Sequence, residues 1–367
     1  MSGPLTILHL THDGRGSGSS ISIALLAAAQ RDAGHRVVVG CPPGYLAERL
    51  RDAGVEWRPL ERRGVGQAAR TTARLCAELE PDVVNSHSSR DRAACRRLRY
   101  RGRLPAALVM TRRAMPRSTP LSAIASGLAA DRIIAVSGAV ARALIRRGTP
   151  RSRVRVVHNA VDLARLDRPP AAGEIERARE LVAGAGHGLA ADIAVIGVVS
   201  RRKDHETLLR AMALMRRPAR LVSIGFEPDE RLRSLALGHH PSAGVVWLPF
   251  QDPLPFYGLF DVVALPTRHE GLSQGIMEAM AFGMPIVTTR VDGNAELITE
   301  GVHGLLVAPG DAGAFAAALD RVLGDGALAA RLGAAARERS RTEFTIERTL
   351  AATGDVYREA IARRLGR

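Results

Sequence analysis

The chain has 367 residues, 46% hydrophobic and 24% charged, which is too long for one ordinary core and fits a globular protein of two domains. No apolar run reaches the ~18 residues of a membrane span. The net charge of +15 is lopsided: residues 1–165 hold 28 Arg against 12 Asp+Glu, so the first half carries all the excess.

The first half alternates short β-like runs with helical patterns. Thr6–Leu10 reads as a strand, followed by the loop DGRGSGSS and a helix over Ile21–Ala33 that Gly34 ends. Further strands are expected at Val37–Gly40, Val83–Asn85, Ala107–Met110, Ile133–Val136 and Val154–Val157, with helices such as Tyr45–Ala53 and Val140–Arg147 among them. These apolar runs do not alternate, so they belong to a parallel sheet covered on both faces. Residues 162–191, with RPPAAGE and GAGHG, read as the interdomain connection. The pattern then restarts, with strands at Ile193–Val199, Leu221–Ile224, Val245–Leu248, Val262–Leu265, Ile286–Thr289 and Gly304–Val307. Helices at His205–Met215, Ala312–Leu323, Ala327–Ser340 and Ile346–Leu365 complete it. The expected architecture is two doubly wound α/β domains, with ligands at the carboxyl ends of the strands and a site in the cleft between domains.

The stretch DVVALPTRHEGLSQGIMEAMAFGMPIV, 261–287, carries the most chemistry. A strand ends near Pro266, a polar loop follows, and a helix of small and apolar residues runs from about Gln274 to the stop at Gly283–Met284–Pro285. Gly271, Leu272 and Ser273 present backbone N–H groups at that helix's start, a ready anion site. Glu270 lies in the loop and Glu278 one turn inside the helix. A carboxylate at Glu278 would repel a phosphate, so it suits hydroxyls such as those of a ribose. Its apolar neighbours Ala279, Met280 and Phe282 argue against a helix-surface glutamate.

Glu-x7-Glu in this setting resembles the retaining GT-B glycosyltransferases of family 4, often called group 1. DVVNSHSS (82–89), DRIIAVSGAVARALIRRG (131–148), VRVVHNAVDLARL (154–166), GVVSRRKDHETLLRAM (197–212) and HGLLVAPGDAGAFAAAL (303–319) resemble that family's blocks in order. The resemblance implies a GT-B fold, two Rossmann-like parallel-sheet domains facing across a cleft. Residues 1–163 would bind the acceptor, 164–345 the nucleotide sugar, and a helix at 346–367 would pack back on the first domain. It implies transfer of a sugar from a nucleoside diphosphate sugar, UDP being the commonest carrier, to an acceptor hydroxyl with retained configuration.

Members of that family carry an Arg and a Lys after the first strand of the second domain, both against the donor diphosphate. The matching positions are Arg201 or Arg202, and Lys203, the only lysine in the chain. A compact ammonium places a point charge on a phosphate oxygen where a forked guanidinium needs more room. The sequence departs from the pattern at Ser200, where the family has glycine, and SRRKD leaves almost no loop. Glu270 would hold donor-sugar hydroxyls, and His87 would lie near the sugar and the acceptor hydroxyl. Gly14, Gly16 and Gly18 would let backbone approach the diphosphate or acceptor, with Gly16 the main candidate. Asn159 and Gly225 fall at further site positions of that family, in segments that depart from its pattern: its Asn-Gly-Val-Asp reads Asn159-Ala160-Val161-Asp162 here, and its glycine-rich nucleotide loop reads Gly225-Phe226-Glu227-Pro228.

No Asp-x-Asp occurs in the chain, so no metal and no cofactor are expected. Arg201, Lys203 and the helix start at Gly271–Ser273 would neutralise the leaving group instead. The basic half suggests an anionic or membrane-associated glycan or lipid acceptor and contact with anionic membrane. Aromatics are only 4%, which leaves few platforms for stacking bases, so no nucleic-acid partner is expected. The N-terminus lacks a basic n-region, and Cys41, Cys76 and Cys95 lack metal or CxxC spacing, so a cytoplasmic protein, acting at the inner face of the membrane, is the expectation. A dinucleotide oxidoreductase is disfavoured: after Gly14-Arg15-Gly16 the third fingerprint glycine falls at Ser19, and VVVGCPP ends without an acidic residue. A sugar phosphorylase, a nucleotide-sugar epimerase and a transferase acting on a small soluble acceptor are the closer alternatives.

Overall fold

A computed structural model describes residues 3–61, 64–116, 119–184, 193–199, 203–237 and 244–366. The chain divides into two units, Met1–Ala160 with Ile346–Arg367, and Val161–Thr345.

The first unit runs β1 (Thr6–Leu10), α1 (Gly18–Asp32), β2 (Arg36–Cys41), α2 (Tyr45–Asp52), β3 (Glu56–Pro59), α3 (Val65–Leu79), β4 (Val83–Ser86), α4 (Ser89–Tyr100), β5 (Ala107–Arg112), α5 (Pro120–Ala129), β6 (Arg132–Ala135), α6 (Gly138–Arg146) and β7 (Val154–Val156). All seven strands are parallel, in the order β3-β2-β1-β4-β5-β6-β7. Side chains cap α1, α4, α5 and α6 among the helices that start on its carboxyl edge. Ser17 accepts from Ser20 N–H ahead of α1, and Ser88 and Asp91 form a reciprocal capping box on α4. β3, EWRP, escaped the sequence reading because it is an edge strand with no fully buried residue, and its proline sits at its end.

The second unit runs α7 (Leu163–Leu166), α8 (Ala172–Ala183), β8 (Ala194–Val199), α9 (His205–Leu214), β9 (Ala219–Ile224), α10 (Glu230–Leu237), β10 (Val245–Leu248), α11 (Leu254–Tyr257), β11 (Val262–Leu265), α12 (Gln274–Phe282), β12 (Ile286–Thr289), α13 (Asp292–Leu297), β13 (Leu305–Val307), α14 (Ala312–Gly324) and α15 (Gly326–Glu343). Its strands are parallel in the order β10-β9-β8-β11-β12-β13. Ile196, Val198, Leu221, Val262, Phe315 and Leu319 form the centre of its core.

Part of the expected connection is structured. Residues 163–166 and 172–183 are α7 and α8 of the second unit, and Val161 N–H donates to Phe344 O at 2.9 Å. Val161 opens the second unit, and Ala160 closes the first. After α15 the chain ends in α16 (Ile346–Arg364), which belongs to the first unit. Its Val356, Tyr357 and Ala360 join the core formed by Ile7, Val39, Val83 and Val109, and Glu359 pairs with Arg132 at 2.6 Å.

Candidate active site

In the second unit the β11–α12 loop is fixed from several sides. Thr267 N–H donates to Thr289 Oγ1 at 3.0 Å, and that hydroxyl donates to Thr267 O at 2.6 Å. Gly293 N–H donates to Glu270 O at 3.2 Å, and a Cβ on Gly293 would meet Gly271 O at 2.1 Å, so only glycine fits there. Ser273 caps α12 by accepting from Ile276 N–H, and Gly283, at φ 82°, ends the helix in the left-handed conformation. A Cβ on Gly275 would meet Val199 O at 2.5 Å, so this glycine lets α12 start hard against the carboxyl end of β8. Leu272 and Ser273 are buried, and among the described residues their N–H groups have no acceptor. The helix N-terminus therefore retains unsatisfied donors.

The neighbouring β8–α9 loop carries Lys203. Asp204 N–H donates to Pro266 O at 3.0 Å, and Arg268 pairs with the Asp204 carboxylate at 2.9 Å, so the two loops are stitched together. Across that seam the Lys203 ammonium pairs with the Glu270 carboxylate, and both side chains are mostly buried. The other Glu270 oxygen accepts from Gly271 N–H at 3.2 Å. Arg201 and Arg202 lie outside the described residues.

Glu278 is 3% exposed. It faces Arg165 of α7 at 3.5 Å, and Arg165 also pairs with Asp252 at 2.8 Å. Burial pushes the Glu278 carboxyl up, Arg165 pulling against it. Burial alone would lower Arg165, but Glu278 and Asp252 outweigh it and raise the guanidinium. Glu278 Oε1 and Tyr257 Oη have no hydrogen bond of normal geometry, although burial and then the nearby Glu278 raise that phenol. Arg165 and Tyr257 were invisible in the sequence reading: one sat in the supposed connection, the other in an unassigned segment.

In the first unit His87 ends β4's run and is 8% exposed. Arg113 bonds His87 Nδ1 at 2.6 Å, His87 Nε2 meets His9 Nδ1 at 2.9 Å, and His9 Nε2 meets Gln30 Oε1 at 2.7 Å. Arginine only donates, so His87 Nδ1 accepts, and each later link donates in the same direction. The network thus sets both imidazoles as Nε2–H tautomers. Burial, then the Arg113 charge, holds His87 well below the usual histidine range, and burial lowers His9 to about 4. Both are neutral at pH 7, and both His87 nitrogens are engaged. A buried histidine inside the apolar strand TILHL was the sequence signal for His9.

The remaining candidates are scattered. A Cβ on Gly14 would meet Pro42 O at 2.8 Å, so Gly14 serves close packing. Gly16 lies in the loop and Gly18 opens α1. Asn159 is 8% exposed just after β7. Gly225, at φ 88°, turns the chain after β9, and the next residue, Phe226, stacks on His205 at 4.1 Å.

Two family models cover most of the chain: the family 4 glycosyltransferases over residues 16–165, and the glycosyl transferases of group 1 over residues 190–325. The chain is 34% identical over 253 residues to a D-inositol 3-phosphate glycosyltransferase of Salinispora arenicola, a match covering 64% of this chain and 56% of that protein. It is 31% identical over 209 residues to the lipopolysaccharide core biosynthesis glycosyltransferase LpsE of Rhizobium meliloti, covering 55% and 54%. The chain spans about half the length of the curated relatives it matches. Anabaena HepE, solved with UDP-glucose, superimposes with a TM-score of 0.82 at 19% identity over 96% of this chain and 98% of that one. Sucrose-phosphate synthase from Thermosynechococcus elongatus gives 0.80 at 20% identity over 98% and 100%. The chain belongs to the family 4, or group 1, glycosyltransferases and has their GT-B fold.

Proposed function

We propose that the protein moves a sugar from a nucleoside diphosphate sugar, with UDP as carrier, to an acceptor hydroxyl with retention of configuration and without a metal. The observation that carries this reading is the Lys203–Glu270 pair beside the open N-terminus of α12, at the carboxyl ends of the adjacent strands β8 and β11. A diphosphate placed there accepts from the Leu272 and Ser273 N–H groups and draws Lys203 away from Glu270. Glu270 is then released to accept from donor-sugar hydroxyls. As the glycosidic bond breaks, charge builds on the diphosphate and the lysine offsets it. The acceptor hydroxyl attacks from the same face, and its proton passes to the leaving phosphate oxygen.

The acceptor in this reading is an anionic or membrane-associated glycan or lipid used in cell-envelope polysaccharide, lipopolysaccharide or glycolipid assembly. The first unit, which carries the excess positive charge, holds it. The protein works in the cytoplasm at the inner face of the membrane. Among the described residues no helix is long and apolar enough to cross a membrane.

The test is a thermal-shift panel of UDP, GDP, ADP and their sugars, because a ligand that binds only the folded state raises Tm by mass action. Product analysis by proton NMR of the anomeric centre, with and without acceptor, follows. A rise with UDP and a retained linkage support the reading. No rise with any nucleoside diphosphate overturns it.

A further inference from the structure

Helix α5, PLSAIASGLA, has no charged residue and is built inside out. It buries Ala123, Gly127 and Ala129 and turns its large side chains outward: Leu121 is 81% exposed, Leu128 57% and Ile124 38%. Those three positions, i, i+3 and i+7, form one face. An ordinary surface helix buries that face. The small residues are buried because neighbours approach the α5 backbone closely. A Cβ on Gly127 would meet Pro150 Cδ at 2.8 Å, and Tyr100 donates to Ala125 O at 2.8 Å. Arg96 of α4 donates to the Ser122 and Ser126 hydroxyls at 3.2 and 3.3 Å.

The flanking sequence is strongly positive. Residues 92–161 contain sixteen arginines and one acidic residue, Asp131. Helix α4 packs between α3 and α5. Exposed Arg70 and Arg74 of α3, with Arg97, Arg101 and Arg103 at the end of α4, line one groove. Among the described residues none of these five has a carboxylate partner, and Arg70 bonds only Gln67 Oε1, at 3.0 and 2.6 Å.

We propose that the α3–α4–α5 face docks on an anionic lipid bilayer. Leu121, Ile124 and Leu128 enter the boundary between headgroups and acyl chains, and the five arginines engage lipid phosphates. The stripe is aliphatic and exposed, and the charge beside it is spread over two neighbouring helices. An anionic lipid surface complements exposed aliphatic side chains beside arginines that lack carboxylate partners. This deepens the acceptor half of the proposed function, but its test reads lipid binding without catalysis, so it can fail while the transferase reading stands.

The experiment is vesicle co-sedimentation of the full chain with phosphatidylcholine alone and with phosphatidylcholine mixed with phosphatidylglycerol. The parent is expected to bind only the anionic vesicles. Leu121→Gln/Leu128→Gln should lower the partition coefficient about tenfold with unchanged circular dichroism. Arg101→Gln/Arg103→Gln should lower it and weaken its salt dependence. As an independent probe, Leu121→Cys takes an environment-sensitive dye selectively, since Cys41, Cys76 and Cys95 are buried, and its emission should shift to the blue on anionic vesicles. The proposal is overturned if the parent ignores anionic vesicles at low salt, or if the leucine pair binds like the parent. It is also overturned if the dye stays in water. A dimer in sedimentation velocity that the leucine pair converts to monomer, without vesicle binding, would assign the ridge to a second copy and overturn it too.

Discussion

The ammonium of Lys203 is paired with the carboxylate of Glu270 across two loops that start at the ends of adjacent strands. Neither partner faces open solvent, so the pair holds both side chains in place, and an entering phosphate trades one anion for another against the same cation. A guanidinium at position 203 would keep the charge but reach further and fork. Lys203→Arg should fold normally and lose about tenfold in kcat/KM, which is about 1.4 kcal/mol. Lys203→Ala should lose more. Steady-state kinetics with one donor–acceptor pair decides it, and parent-like turnover by Lys203→Arg would remove the lysine from the chemistry.

The Arg165–Glu278 pair separates a binding role from a structural one. Removing one partner of a buried pair strands the other, at a cost of roughly 3 kcal/mol. Arg165→Met should therefore lower the urea midpoint and weaken nucleoside diphosphate binding together. Glu278→Gln leaves no stranded anion, so it should weaken nucleotide binding with a smaller loss of stability. If Glu278→Gln binds UDP like the parent in calorimetry, its carboxylate serves only to hold α7 against α12.

Excess EDTA should leave turnover unchanged, because the chain offers Lys203 and a helix N-terminus, and no Asp-x-Asp, to the diphosphate. Loss of activity in EDTA with recovery on adding Mg²⁺ or Mn²⁺ would contradict that.

Apart from the edge strand β3, both sheets were legible in the sequence because buried parallel strands read as largely apolar runs. Val262–Leu265 and Ile286–Thr289 fall where those runs predict. The β11–α12 loop was legible from its glycines, its capping serine and its glutamate spacing. What stayed hidden was partnership between distant segments. Nothing local in VDLARL announces that Arg165 lies against Glu278, because that contact exists only after α7 docks on α12. The same holds for Arg113, which bonds His87 just after β4, while His87 in turn meets His9 of β1. The inside-out pattern of α5 hid its exposure: PLSAIASGLA reads as a buried segment until Gly127 and Ala123 are seen to take the inner face.

Stability should fall on the acid side through the buried histidines, with the raised Glu278 carboxyl opposing the trend by taking up its proton early in the folded state. Burial lowers His9 and His205 from 6.5 to about 4. The unfolded chain therefore takes up protons below pH 6.5 while the folded chain refuses them until about pH 4. The stability is fully present above pH 6.5 and is lost across that window, up to ~3 kcal/mol for each histidine. Glu359, held low by its bond from Arg132, acts only below its ordinary carboxylate range of about 4.5. Urea midpoints between pH 7 and 4.5 should thus decline, and His205→Gln should flatten the slope. A flat parent profile in that interval would refute the buried neutral histidines.

The last prediction concerns His87. With Arg113 donating to Nδ1 and Nε2–H donating to His9, the ring has no lone pair left for a substrate proton. Its depressed pKa points the same way, since burial and the Arg113 charge both disfavour the imidazolium. His87 then acts as a positioning residue, and the proton of the acceptor hydroxyl goes elsewhere, to the leaving phosphate. The pH profile of kcat/KM should show no ionisation between pH 5 and 8 that His87→Gln abolishes. Long-range nitrogen-15 NMR should find His87 as the neutral Nε2–H tautomer across that range. Arg113→Met removes both the donor and the charge, so it should raise the His87 pKa and scramble its tautomer without changing the His205 signal. A His87 resonance in the parent that titrates near 6.5, together with a matching limb in the rate profile, would make it the general base instead.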